Sequence, residues 1–280
     1  MQPIFPTVGI VGTGAMGRGI AQMAVQAGSQ VLLFDLLPGA AEAARAALAD
    51  TWQKLVVKNK LTPEMQAAYL ARVSLASAVT GLAPCALVVE AIVEKLDVKQ
   101  RLFAELEAVV APQAVLATNT SSLSVTAIGA ALQRPAQLAG FHFFNPVPLM
   151  RVVEVIAGLK TSPVVCQQLT DYARQFGHTP VSAQDTPGFI VNHAGRGYGT
   201  EALRVVGERV ADFATIDRIL KDQMGFKLGP FELMDLTALD VSHPVMESIY
   251  HQYYEEARYR PSVITAQRLA GGLLGKKVGE

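Results

Sequence analysis

The glycine-rich segment 12–17 constrains the fold more than any other part of this sequence. It reads Gly-x-Gly-x-x-Gly, follows the apolar run 8–11 and opens an Ala-rich helical stretch at 15–27. In that context the glycines permit a tight turn, close approach of the backbone to a pyrophosphate, and close helix–strand packing. The helix N–H groups and dipole then favour bound phosphates. The segment therefore predicts a dinucleotide-binding βαβ unit, with contacts from Gly12, Gly14, Ala15, Met16 and Gly17.

An acidic residue at the end of the second predicted strand indicates which dinucleotide binds. Asp35 stands 21 residues after Gly14 and ends the apolar run 31–34. A carboxylate there accepts hydrogen bonds from the ribose hydroxyls and repels a 2′-phosphate. The following residues 36–39 contain no Arg that would bind such a phosphate. The predicted cofactor is NAD rather than NADP.

Composition and charge exclude several classes of protein. The 280 residues are 50% hydrophobic and contain 24 basic and 24 acidic side chains, so no global field attracts nucleic acid or an anionic membrane. No signal peptide or uninterrupted apolar run of transmembrane length is recognisable, which predicts a cytoplasmic protein. The two cysteines, Cys85 and Cys166, fit no metal-binding spacing, and small buried thiols are favoured over a disulfide. No metal site is predicted.

The order of apolar runs and helical stretches predicts two domains. Five short runs (8–11, 31–34, 86–90, 114–117 and 138–141) alternate with helices in residues 1–186. This alternation is typical of βαβ units and a parallel, doubly wound Rossmann-type sheet. A helical hairpin is inserted near 54–72, with Thr62 as N-cap and Pro63 at the first helical position.

Residues 187–280 are predicted to form an all-helical C-terminal domain. Its apolar content permits dimerisation, and helix breaks are expected at residue 225, at 229–230, near Pro244 and Pro261, and at 271–272. The segment 194–199 is rich in glycine, which weakens a helix by up to about 1 kcal/mol per glycine relative to Ala. We expect a kink there, or close packing against a partner.

The segment 140–155 contains the candidate catalytic residues. His142 follows an apolar run, and Glu154 lies twelve positions later in a second β-like run. Histidine is the natural base for a hydroxyl proton near neutral pH, and a carboxylate on its other ring nitrogen would orient it. By themselves a His and a Glu at this spacing are more often structural than catalytic, since sequence distance says nothing about geometry.

Several further motifs occur in a fixed order and carry a family resemblance. The chain resembles the L-3-hydroxyacyl-CoA dehydrogenase family, including bacterial 3-hydroxybutyryl-CoA dehydrogenases, over nearly its whole length. The motifs that carry the resemblance are the glycine segment and residues 89–94, 118–123, 140–155, 185–192 and 229–233.

The resemblance implies an activity and roles for individual residues. The activity is NAD-dependent, reversible oxidation of an L-3-hydroxyacyl-CoA to the 3-oxoacyl-CoA, as in fatty-acid β-oxidation. His142 would be the general base and Glu154 its partner, while Ser121 and Asn192 would hydrogen-bond the reacting oxygen or the thioester. Asn192 lies just past the domain junction, where an interdomain cleft is expected. The family's NAD contacts match Glu94, Lys99, Ser121 and Asn145, and Lys277 is available to approach the cofactor.

The resemblance also implies a site for coenzyme A and a homodimer formed through the C-terminal domain. The coenzyme A tail would lie beside the helical hairpin, where Thr51 and Lys58 match best. Lysines there equally fit a solvated helix face, and we weigh the two interpretations equally. The chain departs from the family at His193, where Arg is usual, and at Ala238, where Gly is common. It stops before the family's closing aromatic segment, so a truncated chain and the first part of a longer polypeptide both stay open.

Two other functions are compatible with the same fold. One is dehydrogenation of a free hydroxy acid or sugar acid, against which the intact segment 142–146 and the Lys-bearing hairpin argue. The other is a non-catalytic, NAD-binding protein of the lens-crystallin kind, which predicts loss of the base, whereas His142 and Glu154 are present.

Overall fold

A computed structural model describes residues 2–279, and the chain divides into two compact units, Met1–Thr186 and Pro187–Glu280. The first unit is built on eight strands. They are β1 Thr7–Val11, β2 Gln30–Phe34, β3 Val73–Leu75, β4 Leu87–Glu90, β5 Val115–Thr118, β6 Leu138–Phe143, β7 Val152–Ala157 and β8 Thr179–Gln184.

The strands form one sheet in the order β3-β2-β1-β4-β5-β6-β7-β8. All neighbouring pairs are parallel except β6 and β7, which run antiparallel. The expected parallel, doubly wound sheet therefore contains one antiparallel pair. The reason is that only a short loop connects β6 to β7, whereas a parallel return requires a long crossover.

The helices of the first unit cover both faces of this sheet. One core contains Leu87, Val89 and Phe141 together with side chains from the helices, while Val88 and Leu116 alternate to the other face and are equally buried. Buried residues on both faces are typical of a doubly wound sheet. The helices are α1 Ala15–Gln26, α2 Ala40–Val57, α3 Pro63–Ala71, α4 Leu96–Val109, α5 Val125–Gly129 and α6 Pro163–Gln175.

The helical hairpin is formed by α2 and α3. Thr62, the expected N-cap of α3, accepts a hydrogen bond from the Met65 N–H group, and Pro63 occupies the first turn. Trp52 of α2 is fully buried and its ring lies 5.4 Å from the ring of Tyr69 of α3. Aromatic packing therefore joins the two helices, and the hairpin is anchored to the core through α2.

All regular secondary structure in the described part of the second unit, residues 187–279, is helical. A small core of Ala202, Leu203, Ile216 and Phe231 lies at its centre. The helices are α7 Val191–Gly207, α8 Phe213–Met224, α9 Pro230–Thr237, α10 Leu239–Gln252 and α11 Val263–Ala270.

One sequence expectation for the second unit is corrected by these helices. The expected break near Pro244 is wrong, because α10 continues through Pro244 and buries His243, Met246 and Ile249 along one face. Burial of that face offsets the hydrogen bond that proline cannot donate. Helix α7 is a single element across residues 194–199, and close packing occurs at Gly199, where a Cβ would lie 2.9 Å from Met234 Cε of α9.

The described residues contain neither a membrane-spanning helix nor a cluster of metal-binding side chains. No helix within residues 2–279 is long and apolar enough to cross a membrane. The same residues contain no group of three or more His, Cys, Asp or Glu side chains that could hold a metal ion. Both cysteines are free thiols.

Candidate active site

The glycine segment forms a turn whose shape excludes side chains. Gly12 has φ +88°, and a Cβ there would lie 2.6 Å from the Ala91 carbonyl oxygen. A Cβ on Gly17 would lie 1.8 Å from the Gly12 carbonyl oxygen. Beside the N-cap residue Gly14, by contrast, the Cβ position has no atom within 4 Å, and no side chain caps the helix. The N-terminus of α1 is therefore accessible, as a bound pyrophosphate requires.

Asp35 closes this turn from the end of β2. Its Oδ2 accepts hydrogen bonds from the Thr13 N–H group at 2.7 Å and the Thr13 hydroxyl at 2.9 Å, and its Oδ1 accepts one from the Leu37 N–H group at 3.0 Å. Burial alone would raise the pKa of Asp35, but these hydrogen bonds outweigh it and the pKa is lowered. The carboxylate is therefore ionised at neutral pH, in the form that binds a ribose diol.

Strand pairing brings His142 and Glu154 together. The two residues face each other in the antiparallel register of β6 and β7, and His142 Nδ1 lies 2.7 Å from Glu154 Oε2. Both side chains are buried, with Glu154 fully inaccessible. A carboxylate only accepts hydrogen bonds, so this contact favours the tautomer with its proton on Nδ1, in which Nε2 is the acceptor nitrogen of the ring.

A buried charge network supports the neighbouring loop. Glu90, at the end of β4, accepts hydrogen bonds from Lys99 Nζ at 2.5 Å and from the Thr118 hydroxyl at 2.7 Å. Lys99 Nζ also lies 3.3 Å from Glu94 Oε2. Lys99, expected at the cofactor, is thus only 1% exposed and is paired with two carboxylates.

Glu94 connects this network to Ser121. One of its oxygens, Oε1, accepts hydrogen bonds from the Thr120 hydroxyl at 2.6 Å and from the Ser121 and Ser122 N–H groups at 2.8 and 3.1 Å. Burial raises the pKa of Glu94. The charge of Lys99 and these hydrogen bonds together lower it by a larger amount, so the net shift is downward. The carboxylate therefore holds the loop that carries Ser121 at the carboxyl end of β5.

Sequence reasoning missed three supporting residues at this edge of the sheet. They are Glu90, Asn119, whose Oδ1 accepts from the Phe143 N–H group at 2.9 Å, and Asp185, which accepts from the Val125 and Thr126 N–H groups. Each is a polar residue inside or beside an apolar motif. Their places in the motifs 89–94, 118–123 and 185–192 were the available signal, since their partners lie 9 to 60 residues away.

The other predicted site residues lie on α2, after β6 and in the second unit. Thr51 donates to the Ala47 carbonyl within α2, and Lys58 is the exposed C-cap of that helix. Asn145 is exposed and follows β6. In the second unit, Asn192 lies in the first turn of α7, and Lys277 pairs with Asp240 at 2.5 Å.

His193, the departure from the family next to Asn192, is held by two tyrosines. Its Nδ1 lies 3.0 Å from the Tyr253 hydroxyl and its Nε2 3.1 Å from the Tyr259 hydroxyl, while the two tyrosine rings stack 4.5 Å apart. A neutral imidazole supplies one donor and one acceptor, which satisfies both hydroxyls.

Comparison with known proteins covers both units. The family model "3-hydroxyacyl-CoA dehydrogenase, NAD binding domain" matches residues 7–186, and "3-hydroxyacyl-CoA dehydrogenase, C-terminal domain" matches residues 188–280. A 3-hydroxyadipyl-CoA dehydrogenase from Escherichia coli is 44% identical over 98% of this chain, which spans only 58% of that relative. A probable 3-hydroxybutyryl-CoA dehydrogenase from Deinococcus radiodurans is 40% identical over 97% of both chains.

Solved structures show the same fold. A 3-hydroxybutyryl-CoA dehydrogenase from Escherichia coli superimposes with a TM-score of 0.96 at 42% identity, covering 98% of this chain and 58% of that one. An (S)-3-hydroxybutyryl-CoA dehydrogenase from Ralstonia eutropha superimposes with a TM-score of 0.94 at 35% identity, covering 99% and 97%.

Proposed function

The chain belongs to the 3-hydroxyacyl-CoA dehydrogenase family, and we propose that it catalyses the NAD-dependent, reversible oxidation of an L-3-hydroxyacyl-CoA to the 3-oxoacyl-CoA. The observation that carries the proposal is the buried contact of 2.7 Å between His142 Nδ1 and Glu154 Oε2. An oriented, buried His–Glu pair is the arrangement that general-base catalysis requires.

In the proposed mechanism His142 removes the proton of the 3-hydroxyl group through Nε2. Glu154 stabilises the imidazolium that forms and keeps the ring in position. Ser121 and Asn192 would donate hydrogen bonds to the oxygen on which charge develops. Bound NAD would supply the hydride acceptor for C3 of the substrate. In the reverse direction His142 returns the proton to the oxygen.

Several residues would hold NAD. The N-terminus of α1 at 12–17 would bind the pyrophosphate, and Asp35 would bind the adenosine ribose. Glu94, Ser121 and Asn145 would contact the nicotinamide half of NAD. A contact between Lys277 and NAD also stays a prediction. Lys99 would act on NAD through Glu94, because its own ammonium group is buried against two carboxylates.

The remaining assignments are also proposals. Thr51 and the exposed Lys58 would contact the coenzyme A tail. The cytoplasmic location stays a prediction.

A homodimer through the helical unit is supported by exposed apolar side chains on its helices. These residues are Val191, Ile219, Leu233, Leu236, Val241 and Val263. Light scattering would test the proposal, and a monomer at micromolar concentration would contradict it.

One assay tests the proposed activity. NADH absorbance is followed with a series of 3-hydroxyacyl-CoA thioesters and with the corresponding free 3-hydroxy acids, in the wild type and in His142→Gln. We expect turnover of the thioesters only, and a loss of about 10²- to 10⁴-fold in the variant. Turnover of free acids alone would favour a hydroxy-acid dehydrogenase, and no turnover would favour a binding protein.

A further inference from the structure

Arg196 is a half-buried cation one turn after Asn192 on α7. Its Nε donates a hydrogen bond to the Asn192 carbonyl oxygen at 3.1 Å, and its own carbonyl accepts one from the Thr200 hydroxyl at 2.7 Å. Burial lowers the pKa of the guanidinium, which nonetheless stays protonated at neutral pH. The two Nη groups therefore carry a positive charge beside the first turn of α7.

This charge lacks an ionic partner. Across residues 2–279, no Asp or Glu oxygen lies within 4.0 Å of the Arg196 guanidinium, whereas Arg204 on the same helix pairs with Glu201 at 3.1 Å. Removing a guanidinium from water is costly unless an anion or hydrogen-bond acceptors compensate it. The flanking residues Gly195 and Gly197 are exposed and carry no side chains, so neither can cover Arg196 from within its own turn of the helix. The arrangement provides a cation and room for an anionic ligand.

We propose that Arg196 binds a carboxylate at the far end of the acyl chain, so that the substrate is the 3-hydroxyacyl-CoA of a dicarboxylic acid. The inference rests on the proposed function, in which Asn192 contacts the substrate near its reacting oxygen. The free Nη groups suit a carboxylate because they can donate two parallel hydrogen bonds.

The helix geometry favours a short acyl chain. Residues four apart on a helix are separated by about 6 Å along its axis. Helical side chains lean toward the N-terminus, and the bond from Nε to the Asn192 carbonyl shows that Arg196 does so. Three extended C–C bonds, from C3 to a C6 carboxylate, span about 4 Å. A 3-hydroxyacyl-CoA with a carboxylate at C6 is 3-hydroxyadipyl-CoA, the substrate in the name of the relative from Escherichia coli.

Two substrates of equal length test the proposal: 3-hydroxyadipyl-CoA, which ends in a carboxylate, and 3-hydroxyhexanoyl-CoA, which ends in a methyl group. We expect the wild type to prefer the first by about 10- to 100-fold in kcat/KM, the range expected for a hydrogen bond to a charged group. Arg196→Met should abolish this preference, and Arg196→Lys should retain part of it because the charge remains. The matched control Arg204→Met removes an exposed, paired arginine from the same helix and should keep the wild-type ratio.

A binding measurement separates this inference from the proposed reaction. Adipyl-CoA and hexanoyl-CoA lack the hydroxyl group and cannot be oxidised, so calorimetry reports their affinities without turnover. If no 3-hydroxyacyl-CoA is oxidised, the proposed function fails, while tighter binding of adipyl-CoA than hexanoyl-CoA would still support the role of Arg196. Equal affinities in the wild type, or an equal loss for both thioesters in Arg196→Met, would overturn it. If Arg196→Met does not fold, the partial preference expected of Arg196→Lys tests the role of Arg196 instead.

Discussion

His142 Nδ1 lies 2.7 Å from Glu154 Oε2 because the two residues occupy directly opposed positions on the antiparallel strands β6 and β7. A shift of one residue in this register would turn one of the side chains to the opposite face of the sheet. The candidate base and its carboxylate are therefore aligned by backbone pairing, and no loop has to order for them to meet.

Replacing the carboxylate of Glu154 should impair catalysis more than binding. We expect Glu154→Gln to lower kcat by about 10²- to 10⁴-fold with little change in KM, because the amide neither fixes the Nδ1 proton nor stabilises the imidazolium. Steady-state kinetics of NADH formation would measure the effect. The control is Glu105→Gln on the exposed side of α4. A Glu154→Gln enzyme with wild-type kcat would contradict the proposed role.

Asp35 should determine the choice between NAD and NADP. The ionised carboxylate would repel a 2′-phosphate, and a like-charge contact costs several kcal/mol, so we expect NAD to be preferred by about 100-fold or more. Asp35→Asn should reduce that preference by about tenfold or more, as measured by the ratio of kcat/KM values. Asp50→Asn, which removes an exposed acid paired with Lys54, should not change it. A wild type that prefers NADP would refute the assignment.

Glu94 should contribute stability that is lost in acid. Its pKa in the folded chain is lowered from the ordinary value of 4.5, so the unfolded chain binds a proton more readily than the folded one. The contribution is present above pH 4.5 and disappears as the pH falls through the folded pKa. Thermal unfolding measured across this range should show a shallower pH dependence for Glu94→Gln than for the wild type. Parallel curves would contradict the prediction.

Ala238 carries backbone strain that glycine would relieve. It lies between α9 and α10 with φ +65° and ψ 140°, a conformation that a Cβ disfavours. This explains why glycine is common here in the family. We expect Ala238→Gly to raise the free energy of unfolding by about 1 kcal/mol in urea denaturation, after the entropic cost of glycine.

A matched substitution provides a control of opposite sign. Ala194→Gly, at an exposed position within α7, should lower the free energy of unfolding by about 1 kcal/mol, because glycine disfavours a helix interior. If both variants were destabilised equally, strain at Ala238 would not be the reason for the family's glycine.

Structural features that depend on residues close together in the chain could be predicted from the sequence. The turn at Gly12, the helix N-cap at Thr62 and the position of Asp35 after β2 follow from φ angles, capping and apolar periodicity, which act over a few residues. The expected break at Pro244 failed because burial of one face of α10 overrode a local preference.

The sequence by itself determined the dinucleotide-binding start, the alternation of strands and helices, and the residue types available for catalysis. Only the tertiary structure decided which of them meet: Glu154 with His142, Lys99 with Glu90 rather than solvent, and Arg196 with no carboxylate from residues 2–279. The physical reason is that strand pairing and the burial of charge depend on contacts between residues far apart in the chain, and spacing along the chain does not specify those contacts.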